Sequence, residues 1–367
     1  MPSLLLVGLL LFVVIFAGCA FPEEAASPLT GPLPLGLDGI PGPGKDTEWP
    51  LSEQLGLKTI HLMFPWGESA EGEYYFPKDP AEDLYRVYLT ELKRRGYYVQ
   101  FFCDVVHMDH AHLPAGLEDR GFADPLALAR WRAYIEAWVA RYGDLVDLIC
   151  IGNEVDTYFG AMPEQALEDY LVLFKEGAQI IRRLHPDIAV GVTLTAGSVE
   201  RWWPRFEPFC DVLSATYYMP CRMFGGPATT EGLNPDSPFY FEKTLDAVLK
   251  AAGDKPVYLQ ELGCATHESL GSSPQVQAEF IHKLFAWLER NRGHLLGASW
   301  LSLSDWPWEG TKIALEGLLA PELLADETFM HYLTSLGLFT ETGDPKPGWT
   351  AFTEEAERPH KAPSAPE

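Results

Sequence analysis

Short apolar runs recur along most of the chain, and segments with helical patterns separate most of them. Each run is about as long as one buried strand, while the intervening segments carry apolar residues at helical spacing. One such stripe is Leu128, Trp131, Ile135, Trp138, Val139 and Tyr142. Strands that alternate with helices form parallel sheets. The runs occupy residues 59–64, 98–103, 147–152, 189–194, 211–217, 256–261 and 297–302.

The number of runs predicts a closed barrel. An eighth strand is expected within residues 32–40, and about 250 residues suffice for a (β/α)8 barrel. No glycine-rich phosphate loop follows the first strand, as an open dinucleotide-binding sheet would require. We therefore predict a (β/α)8 TIM barrel of the α/β class, a single catalytic domain over residues 36–358, with a disordered tail at 359–367.

The first 35 residues predict export. Residues 1–19 have the apolar stretch of a signal segment and then small residues that lead to Cys19. They resemble a bacterial lipoprotein signal, in which Cys19 is lipidated. An uncleaved signal anchor is the alternative, because the stretch approaches the ~20 residues that span a bilayer. Residues 20–35 are rich in proline and small residues and predict a tether. We expect a cell-envelope protein held at the membrane by this lipid or anchor.

Charge and composition narrow the range of partners. The formal net charge is −25, and no dense cluster of Lys and Arg appears, which argues against a nucleic-acid partner. Aromatic residues form 13% of the chain and could stack on the apolar faces of sugars. We expect a monomer that binds a carbohydrate substrate and needs no cofactor.

Two glutamates end predicted strands of the same barrel. Glu154 closes the run Ile-Gly-Asn-Glu, and Glu261 lies in Val-Tyr-Leu-Gln-Glu-Leu-Gly. In a parallel barrel these strand ends share one face, where chemistry takes place. A partly buried carboxylate is costly unless it is paired, so two of them indicate either structural ion pairs or catalysis. Glycoside hydrolysis needs two carboxyl groups, one as acid and one as nucleophile or base.

These motifs resemble those of glycoside hydrolase clan A, the retaining glycosidases on (β/α)8 barrels. Asn153-Glu154 is similar to the end of strand four, where Asn meets the sugar 2-hydroxyl and Glu is the acid/base. Gln260-Glu261-Leu-Gly is similar to the nucleophile segment on strand seven. Locally the chain also resembles endo-β-1,4-galactanases. The resemblance implies hydrolysis of β-linked poly- or oligosaccharides by double displacement.

The same resemblance implies further substrate-binding roles. A tyrosine after strand six, Tyr218 with Tyr217 as the alternative, would hydrogen-bond the nucleophile. Trp300 would form the floor of the sugar subsite and be followed by a cis peptide. His107 would lie near the same sugar, and Trp66 matches an aromatic position after strand two.

One position departs from the clan's pattern. Several members carry Arg early in strand two, and this chain has His61 there. Arginine can hold the nucleophile through a bidentate hydrogen bond that a neutral imidazole cannot copy. The departure keeps a second function open, a non-catalytic carbohydrate-binding lipoprotein on the same barrel. Against that function, the chain retains both glutamates.

Two further clusters carry ligand chemistry. The segment from His107 to His112 contains three His and one Asp, which would suit a metal-dependent barrel hydrolase. Such ligands usually converge from several strands, whereas these crowd one loop, so we expect no metal. Cys221 and Cys264 each follow a rim residue by three positions on neighbouring strands, and we predict a disulfide between them.

Overall fold

Eight parallel strands build one sheet in the computed structural model, which describes residues 33–38, 48–69, 71–77, 79, 83–316, 319 and 321–358. The predicted signal, Cys19 and the tail lie outside these ranges. No helix within them is long and apolar enough to cross a membrane. The barrel strands are β1 (Leu35–Leu37), β2 (Thr59–Phe64), β3 (Tyr98–His107), β4 (Leu148–Asn153), β5 (Ala189–Thr195), β6 (Val212–Tyr218), β7 (Val257–Gly263) and β8 (Leu295–Trp300).

The sheet closes on itself, which confirms the predicted (β/α)8 barrel. Neighbouring strands pair in parallel from β2 through β8 in chain order, and β8 then pairs with β1. The gap between β1 and β2 is bridged where Lys58 N donates to Leu35 O at 2.8 Å. Gly36 permits this approach, because a Cβ there would lie 2.8 Å from Thr59 O. A two-residue strand, His110–Ala111, pairs antiparallel with the end of β3.

Helices follow the strands and form the outer layer. The short connection after β5 holds an eight-residue helix, Val199–Phe206. At the start of the helix Pro125–Tyr142, Asp124 accepts hydrogen bonds from Leu126 N and Ala127 N, and Pro125 occupies the first turn, as proline can. The helices are α1 (Glu48–Gln54), α2 (Leu84–Arg94), α3 (Pro125–Tyr142), α4 (Val155–Ala161), α5 (Glu164–Leu184), α6 (Val199–Phe206), α7 (Phe241–Ala252), α8 (Pro274–Asn291), α9 (Trp308–Leu315), α10 (Pro321–Ala325), α11 (Glu327–Leu333) and α12 (Pro347–Ala356).

Buried apolar residues divide into three groups, which locate the site. The largest lies between the strands and the outer helices. A second fills the barrel, where Phe102 and Tyr258 are buried and the Tyr258 hydroxyl contacts Thr59 Oγ1 at 2.9 Å. A third, which includes Leu301 and Tyr332 with the partly buried Tyr218, follows the C-terminal strand ends. The two glutamates therefore lie between the filled interior and the apolar mouth of the barrel.

Candidate active site

The end of β4 delivers Asn153 and Glu154 through an unusual turn. Gly152 has a φ of 86°, and a Cβ there would meet Val155 Cγ1 at 2.4 Å. Glu154 itself has a φ of 48°, in the left-handed region that costs a non-glycine residue roughly 1–2 kcal/mol. Helix α4 starts directly after it. Strain of this kind persists where surrounding contacts hold it, and it is common at functional sites.

The end of β7 carries a bulge that turns two consecutive side chains toward the same network. The β6–β7 register pairs Ala215 with Leu259 and then Thr216 with Glu261, so Gln260 is the extra residue. Gln260 Nε2 donates to Glu261 Oε1 at 2.9 Å. In a regular strand these neighbours would point to opposite faces.

Donors from two neighbouring strands, β6 and β7, hold the two acids and Asn153. Tyr218 Oη donates to Glu261 Oε2 at 2.6 Å. Thr216, the register partner of Glu261, donates through Oγ1 to Glu154 Oε1. Gln260 Nε2 also donates to Asn153 Oδ1 at 2.7 Å. The structure thus brings together Asn153, Glu154, Tyr218 and Glu261, four of the residues that the sequence predicts.

The two carboxyl groups differ in their surroundings. Burial raises the pKa of Glu154 to about 7, and the negative charge of Glu261 adds to this effect, while the hydrogen bond from Thr216 opposes it. Glu261 receives hydrogen bonds on both oxygens, from Tyr218 and from Gln260. At neutral pH, Glu154 therefore exchanges its proton readily beside a negatively charged neighbour.

The raised pKa of Glu154 predicts a pH-dependent stability. Because the folded state holds this proton more tightly than the unfolded state, stability falls as pH rises from about 4.5 through about 7. We expect Glu154→Gln, which removes the charge, to stabilise the protein by up to about 3 kcal/mol more at pH 8 than at pH 4. Thermal melts of both proteins at the two pH values measure this difference. Equal shifts at both values would contradict it.

Three histidines follow the end of β3, and two of them share one buried carboxylate. His107 Nδ1 and His112 Nδ1 contact Asp104 Oδ1 and Oδ2 at 3.0 and 2.9 Å. Burial alone would raise the pKa of Asp104, but these hydrogen bonds and the histidine charges lower it to about 2. Burial lowers the pKa of His107, yet Asp104, Glu261 and Glu154 raise it overall. His107 thus lies within electrostatic range of both glutamates.

The predicted alternative of a metal-dependent hydrolase is not supported by the side-chain geometry in the described part of the chain. Within it, no group of three or more His, Cys, Asp or Glu side chains is arranged to hold an ion. His107 and His112 are oriented by Asp104, and His110 contacts Asp109 at 2.9 Å. The imidazoles are therefore engaged with carboxylates of their own loop.

His61 lies beside the predicted nucleophile. Its Nε2 is 4.0 Å from Glu261 Oε1, and both side chains are largely buried, at 10% and 13% exposure. The ring stacks near Phe102, with centroids 6.4 Å apart. The departure from the clan's pattern is therefore inside the site, where it supplies an imidazole next to the same oxygen that Gln260 binds.

Sequence reasoning missed Tyr332. It lies on α11, in the long segment after β8, and its ring contacts that of Tyr218 with centroids 5.6 Å apart. Burial raises the pKa of Tyr332 well above its usual range, and Glu154 and Glu261 raise it further. Tyr332 is thus within electrostatic range of both acids. No motif marks this residue, because its position depends on how a long loop packs across the mouth.

Two predicted aromatic contacts are wrong. Trp300 is 2% exposed and belongs to the outer core, where its ring packs against Phe280 of α8 at 6.0 Å. Its neighbour Ser299 faces the barrel interior, and side chains alternate along a strand, so Trp300 faces the helices. The residue at the mouth is Leu301, and the Leu301–Ser302 peptide bond is cis.

Trp66 is also buried away from the mouth. It is 4% exposed and packs against Trp131 of α3, with ring centroids 5.1 Å apart. Its Nε1 donates to Glu68 Oε2 at 2.9 Å, and Glu68 pairs with Arg130. Trp66 therefore anchors the loop after β2 to helix α3, which leaves it no face for a sugar.

The predicted disulfide is absent. Cys221 and Cys264 are both free and buried. Cys221 packs with the apolar mouth residues, whereas Cys264 belongs to the outer core. The spacing from the strand ends predicts that Cys221 and Cys264 lie near each other. It does not reveal that their side chains pack into different apolar groups.

Solved structures show the same fold at low sequence identity. A GH5_18 from Bifidobacterium longum subsp. infantis has a TM-score of 0.62 and 18% identity, with 91% of this chain and 80% of that one covered. An exo-β-1,4-mannosidase from Opitutaceae bacterium strain TAV5 has a TM-score of 0.59 and 20% identity, with 88% and 59% covered. A family 39 glycoside hydrolase from Bacteroides cellulosilyticus WH2 has a TM-score of 0.58 and 18% identity, with 89% and 64% covered.

No protein-family model matches the chain, and no curated protein matches it by sequence. The similarity to solved structures therefore shows the fold, that of the glycoside hydrolase barrels, as the sequence motifs predict. Any reaction that the protein catalyses depends on the residues of the site.

Proposed function

We propose that this protein is a retaining glycoside hydrolase that acts on β-linked poly- or oligosaccharides. The observation that carries the proposal is the pair of carboxyl groups at the barrel mouth. Glu154 is buried with a pKa of about 7, and Glu261 is hydrogen-bonded on both oxygens by Tyr218 and Gln260. One group is suited to exchange a proton and the other to attack as an anion.

In the first step, Glu261 attacks the anomeric carbon and the glycosidic C–O bond breaks. The Glu154 proton passes to the departing oxygen, so a glycosyl ester and a free hydroxyl form. Burial is the larger cause of the raised pKa of Glu154, and ester formation removes the second cause, the negative charge of Glu261. Glu154 is then left as a carboxylate that can act as a base.

In the second step, Glu154 takes a proton from water as the water oxygen attacks the anomeric carbon. The ester bond breaks and Glu261 is released as a carboxylate. Two displacements at one carbon retain its configuration. This route requires the carboxyl groups to lie about 5–5.5 Å apart, close enough for direct attack.

The similar structures support a choice of the first substrates to test. One is an exo-β-1,4-mannosidase, and a GH5_18 variant was solved with Manβ1-4GlcNAc. Together with the sequence likeness to galactanases, this supports β-mannosides and β-galactan as the first substrates to test.

The location of the protein in the cell envelope, through lipidation of Cys19, stays a prediction from residues 1–35.

The experiment compares wild type with Glu261→Ala on β-mannan, β-galactan, xylan and β-glucans, together with matching aryl β-glycosides. The product configuration is followed by proton NMR. We expect hydrolysis by the wild type with a β-configured first product. Binding of a glycan without hydrolysis would support the non-catalytic lipoprotein instead, and an α-configured first product would exclude double displacement.

The hydroxyl of Tyr218 is expected to contribute to catalysis. Its hydrogen bond to the Glu261 carboxylate involves a charged group, and such bonds contribute about 1.5–3 kcal/mol. We expect Tyr218→Phe to lower kcat/KM by roughly 10–100-fold. Tyr217→Phe is the matched control, because the Tyr217 hydroxyl contacts only Met219 Sδ, at 3.8 Å. Steady-state kinetics on one aryl glycoside measure kcat/KM for both variants. Equal losses of kcat/KM in the two variants would contradict the role assigned to Tyr218.

A further inference from the structure

Gln260 is a fully buried residue that contacts both halves of the proposed site. Its amide nitrogen donates to Glu261 Oε1 at 2.9 Å and to Asn153 Oδ1 at 2.7 Å. A side-chain amide has two N–H groups, and both are engaged. A single nitrogen therefore holds the predicted nucleophile and the residue that precedes the predicted acid.

The other end of the amide is also fixed. Gln260 Oε1 accepts from Gln100 Nε2 and Thr193 Oγ1, each at 2.8 Å, and from Ser214 Oγ at 3.5 Å. A flipped amide would place its oxygen against Asn153 Oδ1 and the Glu261 carboxylate, while its NH2 group would face these donors. Such a flip would leave buried polar groups unpaired, which is costly. The surrounding strands β3, β5 and β6 thus determine its orientation.

We propose that Gln260 is a positioning residue that sets the orientations of Asn153 and Glu261 together, a role that rests on the proposed function. Because Asn153 Oδ1 is occupied by Gln260, the Asn153 NH2 group is left as the donor toward a sugar hydroxyl. Because Gln260 binds one oxygen of Glu261 and Tyr218 the other, the carboxylate plane is fixed.

The chemistry of an amide suits this position. A neutral donor orients the nucleophile without the ground-state stabilisation that a full ion pair with lysine would add, so the carboxylate stays more reactive toward the anomeric carbon. The bulge at Gln260 is what allows this contact, since a regular strand would turn Gln260 away from Glu261. The extra residue in β7 therefore has a mechanistic use.

The test compares Gln260→Met with Gln277→Met. Both glutamines are fully buried, and methionine has a similar size and shape. Gln277 lies on α8 and donates to Cys264 O and Leu336 O, so of the two only Gln260 contacts Asn153 and Glu261. We expect Gln260→Met to lower kcat/KM by roughly 10–100-fold and Gln277→Met by less than about 3-fold. Equal losses would make Gln260 merely structural and overturn the proposal.

A second readout separates positioning from stability. If Gln260 acts partly through Asn153 on the sugar 2-hydroxyl, its loss matters less when that hydroxyl is missing. We expect the penalty of Gln260→Met to shrink at least about 3-fold on a 2-deoxy aryl glycoside. An unchanged penalty would remove Asn153 from the proposal.

Crystal structures of both variants provide a readout without activity. We expect the Asn153 amide and the Glu261 carboxylate to lose their single orientations in Gln260→Met and to keep them in Gln277→Met. Unchanged orientations in Gln260→Met would overturn the proposal. If the wild type hydrolyses no glycoside, the proposed function fails, and these structures still decide whether Gln260 positions the two residues.

Discussion

Replacing Glu261 with alanine is expected to reduce kcat/KM by at least about 10⁴-fold, because no other anion can form the glycosyl ester. Glu261 is the carboxylate that Tyr218 and Gln260 hold at the mouth. Steady-state kinetics on an aryl β-glycoside measure the loss, and thermal melts check that the variant folds. Asp109→Ala is the control, since this acid follows β3 and contacts His110 instead. Activity near the wild-type level in Glu261→Ala would refute its role.

Azide distinguishes a nucleophile from a merely important residue. Alanine leaves space where the carboxylate was, and a small anion can attack the anomeric carbon from that side. We expect azide to restore turnover in Glu261→Ala and to yield an α-glycosyl azide from a β-glycoside, a single inversion. A β-configured azide from this variant would assign the attack to another group.

Replacing Glu154 with alanine is expected to have an effect that depends on the leaving group. For substrates whose leaving oxygen must be protonated, loss of the general acid should lower kcat/KM by about 10²–10⁴-fold. An aryl glycoside with a strongly acidic phenol needs no proton, so its ester should form rapidly and then accumulate. A burst in stopped-flow kinetics measures this, and similar losses on both substrate types would contradict the assignment.

Azide and pH complete the argument for Glu154. Azide needs no general base, so it should attack the anomeric carbon of the accumulated ester. The ester bond then breaks, Glu261 is released as a carboxylate, and a β-glycosyl azide with retained configuration forms. In the wild type, kcat/KM should decline about tenfold per pH unit above about pH 7, where Glu154 loses its proton. That decline should be absent from Glu154→Ala, and its persistence there would assign the titration to another group.

The barrel was predictable because its signal repeats. The run at residues 59–64 coincides with β2, and the run at residues 189–194 lies within β5. Most of the strands bury both faces, so their apolar runs are continuous and locate them well. The same continuity hides which residues face inward. For that reason Trp300 was assigned to the mouth, although Ser299 and not Trp300 faces the barrel interior.

The acids were predictable, but their supports were not. Glu154 and Glu261 end strands in recognisable motifs, whereas the contact between Gln260 and Glu261 depends on a bulge that appears only in the strand register. Tyr332 reaches the site through the packing of a long segment after β8. Local sequence encodes strand ends, while bulges and loop packing arise from contacts between distant parts of the chain.

The left-handed backbone of Glu154 has a consequence for protein engineering. This residue combines an unfavourable φ with a buried carboxyl group beside another acid, so both its main chain and its side chain lower stability. Glycine or asparagine at this position would tolerate the positive φ and would remove the buried carboxyl group. A library selected for heat resistance alone should therefore enrich these two residues at position 154 and discard the activity, which makes a screen for turnover necessary at every round.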